Sequence, residues 1–168
     1  MQSIYNDKNF QVIIDDILNN EEFQKLKEIR HHGQNRLDHS IKVAYYSYKI
    51  ARFLKLDCES VARGGLLHDF FYEKNDKELI TKRVKTLVEH PTYALKQAES
   101  TFDLNDKEKN IIVSHMFPVS LNLPMYAESW IVDLVDDVVA MCELYESKKR
   151  ILAPATNLLA LILIKLFK

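Results

Sequence analysis

Two adjacent side chains that can bind a metal ion end a short apolar stretch of the sequence. Residues 64–69 read GGLLHD, so His68 offers an imidazole nitrogen and Asp69 a carboxylate. This mixed set of nitrogen and oxygen donors suits Mn, Fe, Co, Ni or Zn. An isolated His-Asp pair is more often a surface pair or a helix-end hydrogen bond than a metal site. The chemistry therefore depends on which other side chains come close to the pair.

The other candidate ligands are three histidines on predicted helices. His39 lies on the apolar stripe, with Ile50 and Leu54, of a helix predicted over about residues 38–56. His90 precedes Pro91, which predicts that one helix ends there and the next begins. His115 shares a face with apolar residues of a later helix. For each histidine alone, a structural role as a hydrogen-bonded core residue or a helix cap is the commoner one.

A glycine pair predicts that two helices approach each other closely. Asp57 is a natural N-cap, and Gly64, Gly65 and His68 share one face of the helix that follows it. Glycine inside a helix costs up to about 1 kcal/mol relative to alanine, so a pair needs a reason. The close approach of a neighbouring helix is the plainest one, and it would bring His68 towards His39.

Three acids interrupt the last strong helix, which is predicted over about residues 127–146 with Leu134, Val135 and Val138 on its apolar stripe. Asp133, Asp136 and Asp137 stand among β-branched residues. Acids in such a setting either face solvent or are held by a cation or a polar partner. We expect Asp133 or Asp137 to be solvated and one acid to face inward.

The chain as a whole is predicted to be a single all-α domain covering residues 1–168. Three glycines and four prolines leave little material for hairpins, and apolar positions recur at intervals of three and four. Within the domain we expect N-terminal helices in residues 1–30, a core in 32–146 and a C-terminal apolar helix within 151–168, which Pro154 starts after a connector at 150–153. That tail is more typical of a core or a subunit contact than of a membrane anchor, so a homodimer is one expectation.

Composition narrows the partners and the compartment. The net charge of -1 creates no field that would gather long nucleic acids. The longest apolar run has seven residues, far short of the roughly 20 that a membrane span needs. The two cysteines have no CxxC spacing and nothing resembles a signal peptide, so we expect a cytoplasmic protein. A structural zinc domain is a weaker alternative because no cysteine pair lies near the histidines.

The order of these residues resembles the HD superfamily of metal-dependent phosphohydrolases over roughly residues 32–146. The local strings RGGLLHD at 63–69 and ESWIVDLVD at 128–136 carry much of this resemblance, and in the second the ligand is the acid after Leu-Val. The resemblance implies a helical bundle with metal ions held between its helices. It implies that a first ion is bound by His39, His68, Asp69 and Asp136. It also implies that His90 and His115 bind a second ion, with Asp69 bridging, since single-metal members lack those two histidines.

The reaction implied by this resemblance is hydrolysis of a phosphate ester by a metal-activated hydroxide. One or two divalent ions (Mn, Fe, Ni, Co or Zn) can lower the pKa of water and clamp the attacking and leaving oxygens. Asp69 would also orient the nucleophile, and Arg36 and Lys74 are candidates to neutralise the phosphate. For those two cations a solvated surface charge is the alternative. His32 is a candidate to protonate the leaving group.

Two classes of function are consistent with this pattern. The first is a phosphatase or phosphodiesterase acting on a nucleotide or another small phosphorylated metabolite. The alternative is a catalytically inactive HD-type domain that binds a ligand or regulates a partner. The complete set of six ligand residues favours the enzyme, because burying so many polar groups would otherwise destabilise the core.

Overall fold

The all-α prediction is confirmed by the computed structural model, which describes residues 4, 6–31, 34–72 and 80–166. The helices used below are α1 (Lys8–Leu18), α2 (Glu21–Gln24), α3 (Arg36–Leu54), α4 (Cys58–Leu67), α5 (Ile80–Thr101), α6 (Asp106–Ser114) and α7 (Ala127–Leu166). A 3-10 helix (Lys25–Glu28) and a short antiparallel ladder of β1 (Arg30–His31) with β2 (Gln34–Asn35) lead from α2 into α3.

Polar side chains cap the helices that carry the candidate site. The Asn35 side chain accepts a hydrogen bond of 2.8 Å from a backbone amide in the first turn, so α3 begins at Arg36. Asp57 accepts an equivalent bond of 3.1 Å at the start of α4, which confirms the predicted N-cap. Asn105 and Glu108 form a capping box at the start of α6. These caps satisfy amides that a helix leaves unpaired at its N-terminus.

The glycine pair of α4 allows two other helices to pack against it at close range. A Cβ atom added at Gly65 would lie 3.1 Å from Cα of Ala44 on α3. A Cβ atom added at Gly64 would lie 2.8 Å from Cγ2 of Ile111 on α6. Both separations are shorter than ordinary van der Waals contact, so the predicted close approach is confirmed. It places the end of α4 between α3 and α6.

The two helix breaks predicted at proline-containing segments are wrong. Helix α5 runs without interruption from Ile80 to Thr101 and contains Pro91, so no helix ends at His90. Helix α7 is continuous from Ala127 to Leu166, and the predicted connector at 150–153 is helical. An interior proline removes one backbone hydrogen bond and costs about 3 kcal/mol, which long flanking helical segments can offset. His90 therefore lies in mid-helix rather than at a helix N-terminus.

The buried face of α7 is the face that carries Asp136. Val132, Val135 and Val139 are buried on this face, whereas Leu134 and Val138, which belonged to the predicted apolar stripe, are 60% and 59% exposed. The same correction applies to the end of α3, where Ile50 and Leu54 are 40% and 52% exposed. The orientation of α7 about its own axis thus turns Asp136 towards the interior of the bundle. The homodimer contact expected of the C-terminal tail stays a prediction.

Helices α3, α4, α6 and α7 pack around one another and enclose the polar centre described next. A cluster of buried apolar side chains that includes Val43, Val61, Ile111 and Val135 connects these four helices. In the part of the chain that the structure describes, no helix has both the length and the apolar character needed to span a bilayer.

Candidate metal centre

His39 faces the centre from the first turns of α3. Its side chain has no exposed surface, and both ring nitrogens lie within hydrogen-bond distance of carboxylates on α7. Nε2 is 2.8 Å from Oδ1 of Asp136, and Nδ1 is 2.9 Å from Oε2 of Glu143. The imidazole of His39 is thus fully buried between two acids. A charged group is costly to bury unless it has such partners, so this arrangement differs from that of an ordinary core histidine.

His68 and Asp69 reach the same centre from the turn that ends α4. His68 Nδ1 is 2.7 Å from the carbonyl oxygen of Gly65, which directs Nε2 towards the acids. That Nε2 lies 3.6 Å from Oδ1 of Asp136 and 4.0 Å from Oδ2 of Asp69. Asp69 itself is 3% exposed. The His-Asp pair is thus buried inside the bundle and is not a surface pair.

His90 of α5 and His115 at the end of α6 meet on the other side of Asp69. Their Nε2 atoms are 2.9 Å apart, and they lie 3.5 Å and 3.8 Å from Oδ1 of Asp69. His115 Nδ1 is held 2.8 Å from the carbonyl oxygen of Ile112. The two oxygens of Asp69 therefore face two different groups of imidazole nitrogens.

The six side chains form three overlapping groups of three residues each. Within each group, the potential ligand atoms lie within 4.8 Å of one another. These groups are His39 with His68 and Asp69, His68 with His115 and Asp136, and Asp69 with His90 and His115. All of their members are buried. The structure therefore brings together every residue that was predicted to bind metal, from five separate helices or helix ends.

The donor atoms fit a divalent transition-metal ion. Among the described residues, Nε2 of His68 is buried without a hydrogen-bond partner, which costs stability unless another atom approaches it. The Nε2 atoms of His90 and His115 also face each other. Only one nitrogen of such a pair can donate a hydrogen bond to the other, so the second has to be an unprotonated nitrogen with a lone pair. Imidazole nitrogens mixed with carboxylate oxygens are the donors that Mn, Fe, Co, Ni and Zn prefer.

A comparison with known protein families matches the region of the chain that contains these six residues. The family described as HD domain matches residues 36–141, which is more than half of the chain. The chain belongs to the HD domain family. HD domains are generally metal-dependent phosphohydrolases, and some members are inactive. The family match contains all six side chains of the metal centre.

Two curated relatives of this HD domain match only part of it. Ribonuclease Y from Pseudothermotoga lettingae is 53% identical over 45 residues, which are 27% of this chain and 9% of the relative. Ribonuclease Y from Mycoplasma mycoides is 56% identical over 45 residues, which are 27% of this chain and 11% of the relative. Each alignment thus spans a small part of the relative's own length. No solved structure matches the chain.

The environment of this HD domain's centre shifts the pKa values of its ligands in opposite directions. Burial raises the pKa of Asp136, but His68 and His39 more than offset it and hold the pKa well below its usual range. Burial lowers the pKa of His39, but hydrogen bonds to two carboxylates raise it to about 9. Burial and the charges of His68 and His90 lower the pKa of His115 to about 3. His115 is therefore neutral, whereas an ion at His39 has to displace a proton.

Arg36, predicted as a phosphate-binding cation, lies inside the HD domain beside Asp69. It is 2% exposed, and its Nη1 donates a hydrogen bond of 2.7 Å to the carbonyl oxygen of Phe71. Its guanidinium also stacks 4.1 Å from the centre of the Phe71 ring, and its Nε lies 3.7 Å from Oδ2 of Asp69. The alternative of a solvated surface charge is therefore wrong for Arg36. Its contact with a substrate phosphate stays a prediction.

The two other residues predicted to act on the substrate, His32 and Lys74, lie outside the described residues. Sequence reasoning missed Glu143, which is 3% exposed and contacts His39. Its position was a usable signal, because residues seven apart share one face of a helix and Glu143 follows Asp136 by that interval.

Asp133 is a further acid of α7 that the bundle buries. It is 5% exposed, and its Oδ1 accepts a hydrogen bond of 3.1 Å from the amide of Phe117, in the segment after His115. Burial raises the pKa of Asp133 to about 7, and the nearby Asp137 and Asp136 contribute to the shift. Asp137 is exposed, as one of the two acids was expected to be.

The raised pKa of Asp133 predicts a pH-dependent loss of stability. The unfolded carboxyl ionises near 3.8 and the folded one near 7, so folding binds a proton in this window and stability falls as pH rises. Asp133→Asn retains an acceptor for the Phe117 amide but cannot ionise. Its stability relative to the wild type should therefore be about 2 to 3 kcal/mol more favourable at pH 8 than at pH 5.

Urea denaturation of both proteins in the presence of a chelator at the two pH values measures this difference. Asp137→Asn is the matched control, because it removes an exposed acid on the same helix and should change the pH dependence much less. Parallel pH profiles for the wild type and Asp133→Asn would contradict the assignment.

Proposed function

We propose that this HD domain is a metal-dependent phosphohydrolase that cleaves a phosphate ester bond of a nucleotide or another small phosphorylated metabolite. The observation that carries the proposal is the position of Asp69. Its Oδ2 faces His68 Nε2 at 4.0 Å, while its Oδ1 faces His90 Nε2 at 3.5 Å and His115 Nε2 at 3.8 Å. One carboxylate between two groups of imidazoles is an arrangement that can hold two neighbouring divalent ions.

Each ion has its own set of ligands in this proposal. The first would be held by His39, His68, Asp69 and Asp136. The second would be held by His90 and His115, with Asp69 shared between the two. The ions are taken from Mn, Fe, Ni, Co and Zn, and availability in the cell decides among metals that the same ligands accept.

The roles of the protein's own groups follow from their positions. Bound ions supply Lewis acidity, which lowers the pKa of water and neutralises charge on the phosphoryl oxygens. Asp69 is placed to orient the attacking water, because it stands between the two imidazole groups. Arg36 anchors the segment after α4 through Phe71 and adds a positive charge next to Asp69. Burial of the ligands keeps bulk water from competing with the substrate.

Two observations guide the proposed class of substrate, namely the net charge of the chain and the names of its partial relatives. A net charge of -1 provides no general attraction for a long polyanion, so we propose a small substrate. The partial relatives are named ribonucleases, and for this reason we include phosphodiesters as well as phosphomonoesters among the candidate substrates.

A substrate panel tests the proposal. The purified protein is incubated with Mn²⁺, Fe²⁺, Co²⁺, Ni²⁺ or Zn²⁺ and with an aryl phosphomonoester, an aryl phosphodiester, nucleoside mono- and diphosphates, and a dinucleotide. We expect hydrolysis of at least one class with at least one metal, and its loss on chelation. Hydrolysis that survives both chelation and His68→Ala comes from a contaminant. Metal binding with no turnover of any ester would favour the regulatory alternative.

A further inference from the structure

Glu143 approaches the metal centre without being one of the grouped ligands. Its Oε2 lies 2.9 Å from Nδ1 of His39, and the opposite nitrogen of that ring, Nε2, lies 2.8 Å from Asp136. The imidazole therefore stands between Glu143 and the other ligands. Glu143 can act on an ion only through His39.

All four histidines present Nε2 to the centre, and three of them, His39, His68 and His115, are held there by different contacts of Nδ1. Nδ1 of His68 contacts the carbonyl oxygen of Gly65 at 2.7 Å, and Nδ1 of His115 contacts that of Ile112 at 2.8 Å. Both carbonyls belong to the histidine's own helix, three residues earlier. Only for His39, among these three, is the partner a carboxylate, and it comes from another helix.

A second contact fixes the carboxylate itself. Oε1 of Glu143 lies 2.7 Å from Nζ of Lys42, one turn after His39 on α3. Because Lys42 occupies one oxygen, the other remains directed at the imidazole. Lys42, Glu143 and His39 form a chain of charged hydrogen bonds that links α3 to α7, and such bonds are stronger than those between neutral groups.

We propose that Glu143 is a positioning residue that tightens binding of the first metal ion through His39. This inference rests on the proposed function. An N–H of Nδ1 donated to Glu143 leaves the lone pair of Nε2 free for the ion, and the negative charge of the carboxylate makes that lone pair a better donor. A backbone carbonyl fixes the ring in the same way but contributes less charge. His39 therefore contributes to the affinity of the first ion in a way that His115, which is held by a backbone carbonyl, does not contribute to the second.

Replacing Glu143 with glutamine tests this directly. Glu143→Gln keeps the size of the side chain and an oxygen that can accept from Nδ1, but it removes the charge. Partner residues of this kind typically contribute 10- to 100-fold to metal affinity, so we expect the first ion to bind about 10-fold or more weakly. The dissociation constants of both ions are measured by competition with a chromophoric chelator, using Mn²⁺ and Zn²⁺. The second ion should keep its wild-type affinity.

A matched control separates positioning from general stability. Glu108 is also 3% exposed and paired with a cation, Arg63 at 2.9 Å, but it lies at the start of α6. Glu108→Gln should lower the melting temperature without changing either dissociation constant. If Glu143→Gln binds both ions as the wild type does, or if both variants weaken both ions equally, the inference is wrong.

Lys42→Met provides a second test that does not depend on the folding of a variant with an altered buried acid. Lys42 is partly exposed, and its loss frees one oxygen of Glu143 from its partner. We expect a smaller, several-fold loss of affinity for the first ion, and an unchanged affinity would overturn the inference. If the wild type itself takes up no ion, the proposed function fails instead, so the two failures are distinguishable.

Discussion

Asp69→Ala is expected to abolish binding of both metal ions and to lower phosphoester hydrolysis by about a thousandfold or more. The reason is that, among the described residues, Asp69 offers one oxygen to each imidazole group: Oδ2 lies 4.0 Å from Nε2 of His68 and Oδ1 lies 3.5 Å from Nε2 of His90. Loss of His39 or of His90 removes a ligand from one group only, whereas loss of Asp69 removes a ligand from both of these groups. Metal content by elemental mass spectrometry and turnover of the best substrate measure the two effects.

Asp137→Ala is the matched control for this experiment. Asp137 is an exposed acid that follows Asp136 and is not itself one of the grouped ligands, so its removal changes the net charge equally. It should retain both ions and the activity. An Asp69→Ala protein that is folded by circular dichroism and still holds both ions would contradict the bridging role.

Gly65→Val is expected to destabilise the protein by about 2 to 3 kcal/mol and to weaken metal binding as well. Even a single Cβ atom at this position would lie 3.1 Å from Cα of Ala44, and a backbone atom cannot rotate away as a side chain can. Helices α3 and α4 must therefore separate. Because His39 is on α3 and His68 ends α4, the same movement pulls two ligands apart.

Urea denaturation and a metal titration of Gly65→Val measure both consequences. Glu59→Val introduces the same β-branched residue at an exposed position of α4, where the lower helix propensity of valine and the loss of an acid from the first turn should together cost only about 1 kcal/mol. Equal stability of the two variants, or wild-type metal affinity in Gly65→Val, would show that the close approach does not position the ligands.

The parts of the fold that local chemistry determines were predictable from the sequence. The caps at Asp57 and Asn105 follow from side chains that satisfy unpaired amides, whatever the rest of the fold does. The glycine pair indicated a close helix contact because glycine in a helix has a cost that only packing recovers. The convergence of the six candidate ligands came from the family resemblance, since no local rule brings His39 and Asp136 together.

The errors arose where tertiary packing decides between local alternatives. Pro91 and Pro154 each permit either a break or a strained but continuous helix, and the structure has the continuous one at both. Leu134 and Val138 are as apolar as Val135 and Val139, so composition alone could not tell which edge of the stripe faces solvent. Which face of α7 is buried depends on Asp136, because this acid can be buried only where imidazoles of other helices contact it.

The most direct test of the metal centre is the number of ions that the wild-type protein holds. The protein is purified without chelators, loaded separately with Mn²⁺, Fe²⁺ and Zn²⁺, freed of unbound metal by gel filtration, and measured by elemental mass spectrometry against protein concentration. The arrangement of Asp69 between two imidazole groups predicts two ions per chain with at least one of these metals. A folded protein that retains no ion after any of the three loadings would contradict it.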